Sequence, residues 1–257
     1  MENDSFRREL DNLKRVHGMH SHIISLLASW TQGGYGALLL PYADCDLDEY
    51  WRQESHKTIW DVEKEAIDLE TVSWMSNQIL GLTEALATIH SPHRQSSTWK
   101  YGRYGDVKPK NILWFPSTSQ GRGRLVLTDF GSATFHADDI EEGEVAAHVA
   151  VSPTYRPPEF DIRDGMASRA SDIWSFGCLL LEFVCWALGG EQLLNDFEES
   201  RLSPYITGVT SSSFFDVKIR TDGKHLIYVK SEVSQVCTSL LHENHKCLLL
   251  VVHTTAA

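Results

Sequence analysis

The chain has 257 residues, of which 42% are hydrophobic and 23% are charged, and its formal net charge is -12. Such values are typical of a globular protein with one or two domains and a sizeable core. The negative charge argues against nonspecific binding to nucleic acid or to anionic membranes, because both require basic patches.

The sequence shows no pattern of secretion or membrane insertion. Its first ten residues, MENDSFRREL, lack the apolar core of a signal peptide, and its longest apolar stretch, 176–188, contains Glu182 and is too short to cross a bilayer. No CxxC pair and no cysteine–histidine metal spacing occurs, so we expect reduced thiols and a cytoplasmic or nuclear protein. The five cysteines are Cys45, Cys178, Cys185, Cys237 and Cys247.

The first predicted element is an amphipathic helix over residues 4–17, since apolar side chains recur at helical spacing from Phe6 to Val16. Two apolar runs, 23–27 and 35–40, follow it. They are predicted to be strands joined through Gly33-Gly34.

A helical region is predicted next. Leu47 and Trp51 indicate a short helix, and the polar residues 52–68 are interpreted as a surface insertion. Residues 69–89 then keep helical spacing up to Pro92, which predicts a long buried helix. The polar stretch 91–103 is expected to form an extended loop.

Another mostly apolar helix is predicted from Asp172 to Gly189-Gly190, where glycine favours a C-terminal stop. Beyond residue 190 the pattern is weaker. Residues 214–216 and 226–230 indicate strand or loop segments, and 233–241 indicate a helix. The apolar residues 247–252 and the abrupt end after them suggest a chain cut short or altered there.

Four polar residues between 104 and 131 have the chemistry of phosphoryl transfer. Such a reaction needs a carboxylate near the attacking hydroxyl, a cation on the moving phosphate and oxygen ligands for Mg²⁺. Asp106, Lys108 and Asn111 lie in YGDVKPKNILWF, and Asp129 begins the triplet Asp-Phe-Gly. For Asp106 the plainer alternative is a structural turn aspartate.

At this spacing the segment resembles the catalytic loop and metal loop of the eukaryotic protein kinase family. The resemblance continues at 152–159, SPTYRPPE, which is similar to the family's substrate loop and Ala-Pro-Glu motif with Pro157 in place of alanine. Residues 171–177, SDIWSFG, resemble the start of the long buried helix of the large lobe. Together these matches outweigh the alternative of chance motifs in an unrelated soluble domain.

The resemblance implies an α+β, kinase-like fold that is mainly the helical large lobe with a partial small lobe. Residues 1–43 would form the partial small lobe and the hinge, and residues 44–257 the large lobe, with the part from about 191 left open. The loop 91–103 and the segment after it resemble kinase-like proteins of filamentous fungi.

The resemblance also implies site residues for ATP and Mg²⁺. Asp106 and Lys108 would be catalytic, and Asn111 and Asp129 would hold the metal. Glu9 would be the glutamate of the mobile regulatory helix, with an ordinary exposed helix charge as the alternative. The remaining ATP-binding residues would be Leu40, Ala43 and Leu113.

Further residues would bind the protein substrate or support the site. Ser152 and Pro153 would belong to the substrate loop, and Lys108 is the residue associated in this family with serine/threonine specificity. Tyr104 would pack on Phe130. Structural support is expected from Tyr104, Glu159 and Asp172, the last by accepting backbone hydrogen bonds from the catalytic loop.

Two departures from the family pattern affect function. Gly105 stands where the family has an arginine that binds a phosphate on the activation segment, so control of that kind is not expected. No GxGxxG loop and no Val-Ala-x-Lys strand occurs in the chain, and both would be expected to precede Met1.

The leading functional prediction is therefore a serine/threonine protein kinase. The alternative is a catalytically impaired pseudokinase or an interaction fragment, because the phosphate-covering loop and the ATP-pairing lysine are missing from these 257 residues.

Overall fold

The computed structural model describes residues 4–55, 58–61, 66–91, 99–117, 121–137, 144–145, 152–162, 165–204, 208–221 and 225–243. Within these ranges α-helices combine with small antiparallel sheets, which makes the architecture α+β. Residues 92–98 of the predicted loop and the apolar residues 247–252 lie outside the described part of the chain.

The described α-helices differ widely in length. They are α1 (Asp4–Val16), α2 (Leu47–Gln53), α3 (Leu69–His90), α4 (Arg169–Ser200) and α5 (Ser231–Glu243). Short 3-10 turns cover Pro109–Asn111 and Pro158–Asp161.

The described strands are short. They are β1 (Ala28–Gln32), β2 (Tyr35–Leu39), β3 (Cys45–Asp46), β4 (Trp60–Asp61), β5 (Ala66–Ile67), β6 (Tyr101–Arg103), β7 (Ile112–Phe115), β8 (Arg124–Leu127), β9 (Thr134–His136), β10 (Glu144–Val145), β11 (Met166–Ala167), β12 (Ser203–Pro204), β13 (Thr210–Ser211), β14 (Phe215–Ile219) and β15 (His225–Val229).

The helix predicted over 4–17 is α1, and its inner face buries Leu13 and Val16. The hairpin β1–β2 turns through Gly33 and Gly34, which have φ of 59° and 85°. Positive φ at both central residues suits a tight hairpin turn and favours glycine.

The strand predicted over 23–27 is wrong, because the first strand of the hairpin begins at Ala28. Ile23 makes only an isolated bridge with Leu127, and Ile24 N donates to Leu127 O at 2.9 Å. Both isoleucines are buried. Their apolar pattern therefore reflects packing against the β8 end rather than pairing in the hairpin.

A three-stranded antiparallel sheet, in the order β3–β7–β8, joins the parts of the site. Cys45 pairs with Trp114 and Asp46 with Leu113, while Ile112 pairs with Leu127. The sheet thus brings the segment after residue 43, the end of the predicted catalytic loop and the strand before Asp129 side by side.

Two long helices form the core beneath this sheet. Asp68 caps α3, and Ser168 caps α4 by accepting from Ala170 N, so both helix starts have side-chain partners for free N–H groups. Within α4, Gly190 has φ of 65° and interrupts the helix where a stop was predicted. A further helical stretch continues directly to Ser200, which was not predicted.

Among the described residues α4 is also the one helix long and apolar enough to cross a membrane by composition. Half of its most apolar window is buried inside the protein. Leu179, Phe183 and Trp186 are fully buried in the main hydrophobic core. The apolar character of α4 is explained by this packing.

The segment interpreted as a surface insertion is partly anchored in the core. Ile59 is 8% exposed, and its N–H donates to Ala187 O at 2.6 Å. Strands β4 and β5 pair with each other on either side of residues 62–65. Ile59, together with the partly buried Ile67 that packs against the main core, thus fixes the base of the insertion.

The part of the chain after Ser200 forms a second, smaller hydrophobic cluster against α4. The hairpin β14–β15 and helix α5 occupy the segments where strands and a helix were predicted. Phe197, Phe214 and Val233 are buried with Cys178 and Cys185. Both cysteines are free thiols, as expected for core residues.

Candidate active site

The loop from Tyr104 to Asn111 lies between two strand pairs. Strand β6 before it pairs with β9, and β7 after it pairs with β8. Asn111 N donates to Lys108 O, and Thr128 N donates to Asn111 O at 3.0 Å. The loop is therefore fixed at both ends by the backbone of the segment that carries Asp129.

Asp106 is the centre of a polar cluster. Lys108 Nζ lies 2.6 Å and Asn111 Nδ2 lies 2.9 Å from Asp106 Oδ2. Ser152 Oγ donates to the other oxygen, Oδ1, at 3.0 Å. One carboxylate oxygen is thus held by the loop itself, while the other faces a hydroxyl group from a distant segment.

Asn111 is oriented by two donor contacts. Its Nδ2 also donates to Asp106 O at 3.0 Å, and the residue is 5% exposed. Because the amide nitrogen is used for Asp106, the amide oxygen is the atom left to act as a ligand. This orientation suits a metal ligand of the kind Mg²⁺ prefers.

Asp129 begins a strained turn at the edge of the cluster. It has φ of 57°, a left-handed conformation that is uncommon outside glycine, and it is exposed. Gly131 N donates to its Oδ1 at 3.2 Å. Strain of this type at a turn is frequent at functional positions.

Asn12 was missed by the sequence reasoning and fixes this turn from α1. Its Nδ2 donates to Phe130 O at 2.8 Å and to Ala133 O at 2.9 Å. It is 6% exposed on the same helix face as Leu13 and Val16. A polar residue within an apolar stripe was the signal that could have identified it.

Tyr104 packs on Phe130 as expected, with ring centroids 5.3 Å apart at an interplanar angle of 77°. Its hydroxyl donates to Thr128 O. Both rings are fully buried. The aromatic contact connects the predicted catalytic loop to the Asp129 segment.

Asp172, at the start of α4, holds the other side of the loop. Its Oδ2 accepts from Tyr104 N at 2.7 Å and its Oδ1 from Gly105 N at 2.7 Å. His90 Nε2 lies 2.8 Å from Oδ2. The expected backbone contacts are therefore present, with His90 as an additional partner.

Gly105 is required by the shape of the loop. It has φ of 89°, and a Cβ there would lie 2.7 Å from Ser132 O. Arg103 NH1 would be 3.4 Å from the same Cβ, and Arg103 is 4% exposed. A buried arginine, also missed from sequence, thus lies beside the position where the family arginine would stand.

Glu9 lies on α1 near Asp129 and is half-buried. Burial raises the pKa of the Glu9 carboxyl, and the negative charge of Asp129 raises it further. Within the described residues Glu9 makes no ion pair. Because the charge of Asp129 disfavours an ionised Glu9, a cation held by Asp129 would oppose this effect.

The predicted ATP-binding residues Leu40, Ala43 and Leu113 are half-buried. Leu40 and Leu113 pack against the main core. Asp44 N, next to Ala43, donates to Trp114 O at 3.2 Å. The segment after Leu40 thus runs alongside β7, although no direct contact among the three residues is described.

The predicted substrate loop at 152–156 lies against a cavity of about 470 Å³. Lys108, Ser152, Pro153, Tyr155 and Glu182 are among its lining residues. The cavity therefore shares Lys108 and Ser152 with the Asp106 cluster, and it is large enough for side chains of a peptide.

Glu159, expected to give structural support, accepts a 2.5 Å hydrogen bond from Ser171 Oγ. The buried arginine of this region instead serves another acid, since Arg201 NH2 lies 2.8 Å from Glu182 Oε1. Glu159 thus ties the end of the substrate loop to the start of α4 through a neutral donor.

The sequence matches the family described as protein kinase domain over residues 1–247. The chain belongs to the protein kinase family. The kinase-like α+β fold predicted from the sequence is confirmed by this match and by the mixture of helices and small antiparallel sheets.

Individual relatives agree with this assignment. The probable LRR receptor-like protein kinase At1g51890 of Arabidopsis thaliana is 31% identical over 183 residues, which cover 70% of this kinase chain and 18% of that protein. A probable cAMP-dependent protein kinase catalytic subunit of Encephalitozoon cuniculi is 26% identical over 185 residues, covering 71% and 46%. Serine/threonine-protein kinase PDK1 of Cryptococcus neoformans is 37% identical over 83 residues, covering 31% and 6%.

The kinase chain thus spans less than half the length of each of these relatives. They come from a plant as well as from other organisms, so the narrower resemblance to filamentous fungi stays a prediction. The division into a partial small lobe, a hinge and a large lobe also stays a prediction.

Proposed function

We propose that this kinase-family protein transfers the γ-phosphate of ATP to serine or threonine hydroxyls of proteins. The observation that carries the proposal is the Asp106 cluster, in which Lys108, Asn111 and a serine hydroxyl converge on one carboxylate. The family supports kinase function in general, and the serine/threonine choice rests on Lys108 and on Ser152.

Asp106 would orient the substrate hydroxyl and accept its proton. Its Oδ1 already accepts from an alcohol, Ser152, at 3.0 Å, which is within the range needed for proton transfer. Lys108 Nζ, held beside Oδ2, would then neutralise charge on the moving phosphate.

Asn111 and Asp129 would hold Mg²⁺. When bound, this ion neutralises charge on the phosphates of ATP. The donor set fits, since the amide oxygen of Asn111 is left available and the carboxylate of Asp129 is exposed. Among the described residues no cluster of three or more His, Cys, Asp or Glu side chains forms an alternative metal site.

A noncatalytic, pseudokinase-like role is the second candidate, and Glu9 is the observation that favours it. In the family the corresponding glutamate pairs with the ATP-binding lysine, whereas among the described residues Glu9 makes no ion pair and the charge of Asp129 raises its pKa. A phosphate that is poorly positioned reacts slowly even where the catalytic carboxylate is in place.

Incubation of purified 1–257 protein with radiolabelled ATP, Mg²⁺ and a mixture of serine, threonine and tyrosine peptides tests the proposal. Little label is expected to be transferred by these residues alone, and phosphoamino-acid analysis should assign it to phosphoserine or phosphothreonine that disappears in Asp106→Asn. Transfer to tyrosine would overturn the specificity. No Asp106-dependent transfer together with no Mg²⁺-dependent nucleotide binding would support the noncatalytic alternative.

A further inference from the structure

The part of the chain after Ser200, which the sequence left open, is connected to the substrate loop by a ring of hydrogen bonds. Tyr155 OH donates to Glu182 Oε2 at 2.6 Å, and Arg201 NH2 donates to Glu182 Oε1 at 2.8 Å. Both oxygens of Glu182 are therefore used, one by the loop and one by Arg201.

The ring closes through Ser212. Arg201 Nε donates to Ser212 O at 3.1 Å, and Ser212 Oγ lies 3.3 Å from Thr154 Oγ1. Two adjacent residues of the substrate loop, Thr154 and Tyr155, are thus linked to one guanidinium by two separate routes.

Arg201 is fixed in place more strongly than a surface arginine could be. Its side chain is fully buried, and its guanidinium carbon lies 4.0 Å from the ring centroids of both Phe197 and Phe214. Lys230 Nζ also donates to the Arg201 carbonyl. A planar guanidinium packed against two rings has little freedom and can direct its donors accurately.

The partner acid depends on this cation. Glu182 is 5% exposed on α4. Burial raises the pKa of its carboxyl, and Arg201 is the largest influence that opposes the increase. Loss of Arg201 would leave a buried carboxylate without a cation, so that the carboxyl would take up a proton or move.

We propose that Arg201 is a positioning residue for the substrate loop and acts through Glu182 on Tyr155 and through Ser212 on Thr154. The part of the chain after Ser200 would then fix the geometry of the substrate loop beside the cavity of about 470 Å³. The inference rests on the proposed function only in taking residues 152–156 as the segment that contacts the substrate.

Hydrogen exchange measured by mass spectrometry on peptides that cover 152–162 and α3 tests the inference without requiring catalysis. Tyr155→Phe and Arg201→Met should each accelerate exchange at the loop by about tenfold, the factor for one lost hydrogen bond, with α3 unchanged. The double variant should be no faster than Arg201→Met alone. Arg201→Lys, which keeps the charge, should restore most of the protection.

Arg52→Met is the matched control, because Arg52 lines the same cavity but pairs with Asp48 and Glu49 at the surface. It should leave exchange at 152–162 unchanged. If Arg201→Met does not fold, Glu182→Gln/Arg201→Met removes both charges and should give the same loop acceleration. Exchange in the loop that stays at the wild-type rate, increases equally in α3, or adds independently in the double variant overturns the inference.

These outcomes separate the inference from the proposed function. A chain with no Asp106-dependent transfer and no Mg²⁺-dependent nucleotide binding, whose loop still responds to Arg201→Met, would refute the kinase proposal and leave the positioning role intact. Transfer to serine, combined with hydrogen exchange at 152–162 that Arg201→Met does not change, would refute the positioning role alone.

Discussion

Ser152 Oγ donates a 3.0 Å hydrogen bond to Asp106 Oδ1, so the substrate loop lies directly against the proposed catalytic carboxylate. The other oxygen of Asp106 is occupied by Lys108 and Asn111. An alcohol oxygen therefore fits against Oδ1 while the lysine remains in place. A substrate hydroxyl at this position would share or displace the contact with Ser152.

We expect purified 1–257 protein to show little or no kinase activity. The sequence contains no GxGxxG loop and no Val-Ala-x-Lys strand, and these groups cover and hold the phosphates in the family. Loss of such electrostatic groups lowers rates by about 10³-fold or more. Initial rates with a generic acceptor peptide measure this effect.

The control for this measurement is Asp106→Asn, which should remove any residual transfer while keeping the size of the side chain. Robust transfer that Asp106→Asn abolishes would show that the chain positions phosphates by other residues. Transfer that persists in Asp106→Asn would point to a contaminating kinase.

Mg²⁺-ATP should bind weakly, with Ala43 and Leu113 at the nucleotide and Asn111 and Asp129 at the metal. The proposed metal ligands are present, whereas the phosphate cover is not. Titration calorimetry with and without Mg²⁺ measures the affinity. Asp129→Ala should eliminate the dependence on Mg²⁺, and tight binding unchanged by Asp129→Ala would contradict the assignment.

Glu9→Gln should stabilise the protein at neutral pH. Burial and Asp129 raise the pKa of Glu9 above its ordinary value of 4.5, so folding favours the protonated carboxyl. That stabilisation is present at low pH and is lost as pH rises through the folded-state pKa. The neutral glutamine avoids this loss, so its advantage in urea denaturation should grow with pH above 4.5.

An Asp129→Asn background provides the matched comparison for Glu9. The advantage of Glu9→Gln should shrink there, because one of the two causes is removed, but it should persist because burial remains. A lower denaturation midpoint for Glu9→Gln at neutral pH would mean that the Glu9 carboxylate has a favourable cationic partner.

Local patterns predicted the elements that a single apolar face defines. Helix α1, the glycine turn of β1–β2 and the interruption of α4 at Gly190 all follow from periodicity or from glycine chemistry. The apolar run 23–27 gave a false strand, because an apolar run has the same appearance whether it pairs in a sheet or packs beside one.

Polar contacts between distant segments could not be predicted in the same way. Asn12 bonds to a carbonyl 118 residues away, and Asp172 bonds to backbone 68 residues away. Asp172 was identified because a family motif marks it. Asn12 and Arg201 lie in no such motif, and their partners depend on how the helices pack.

Gly105→Ala should destabilise the protein more than Gly34→Ala. Both glycines have similar positive φ, 89° and 85°, so an added methyl group costs about 1–2 kcal/mol of backbone strain at each. At Gly105 the new Cβ would also lie 2.7 Å from Ser132 O, whereas Gly34 has nothing within 4 Å. The collision should add about 1–3 kcal/mol.

Urea denaturation of the two glycine variants measures the difference. Equal midpoints would show that the catalytic loop shifts away from Ser132 at little cost. In that case an arginine could be placed at position 105, and the absence of the family arginine would not follow from the shape of the loop.

Asp172→Ala should destabilise the chain more than Asp106→Ala, although each side chain accepts several hydrogen bonds. Asp172 is 1% exposed, and its removal leaves Tyr104 N and Gly105 N without a partner, at roughly 1–3 kcal/mol for a buried group. The donors around Asp106 include Lys108, which is 24% exposed and can turn to water. Active-site carboxylates are also not optimised for stability, so Asp106→Ala could be neutral or stabilising.

Denaturation midpoints of both variants measure the difference, with His90→Ala as the control that removes a single partner of Asp172. If Asp106→Ala lowers the midpoint as much as Asp172→Ala, the division into a catalytic and a structural aspartate is wrong.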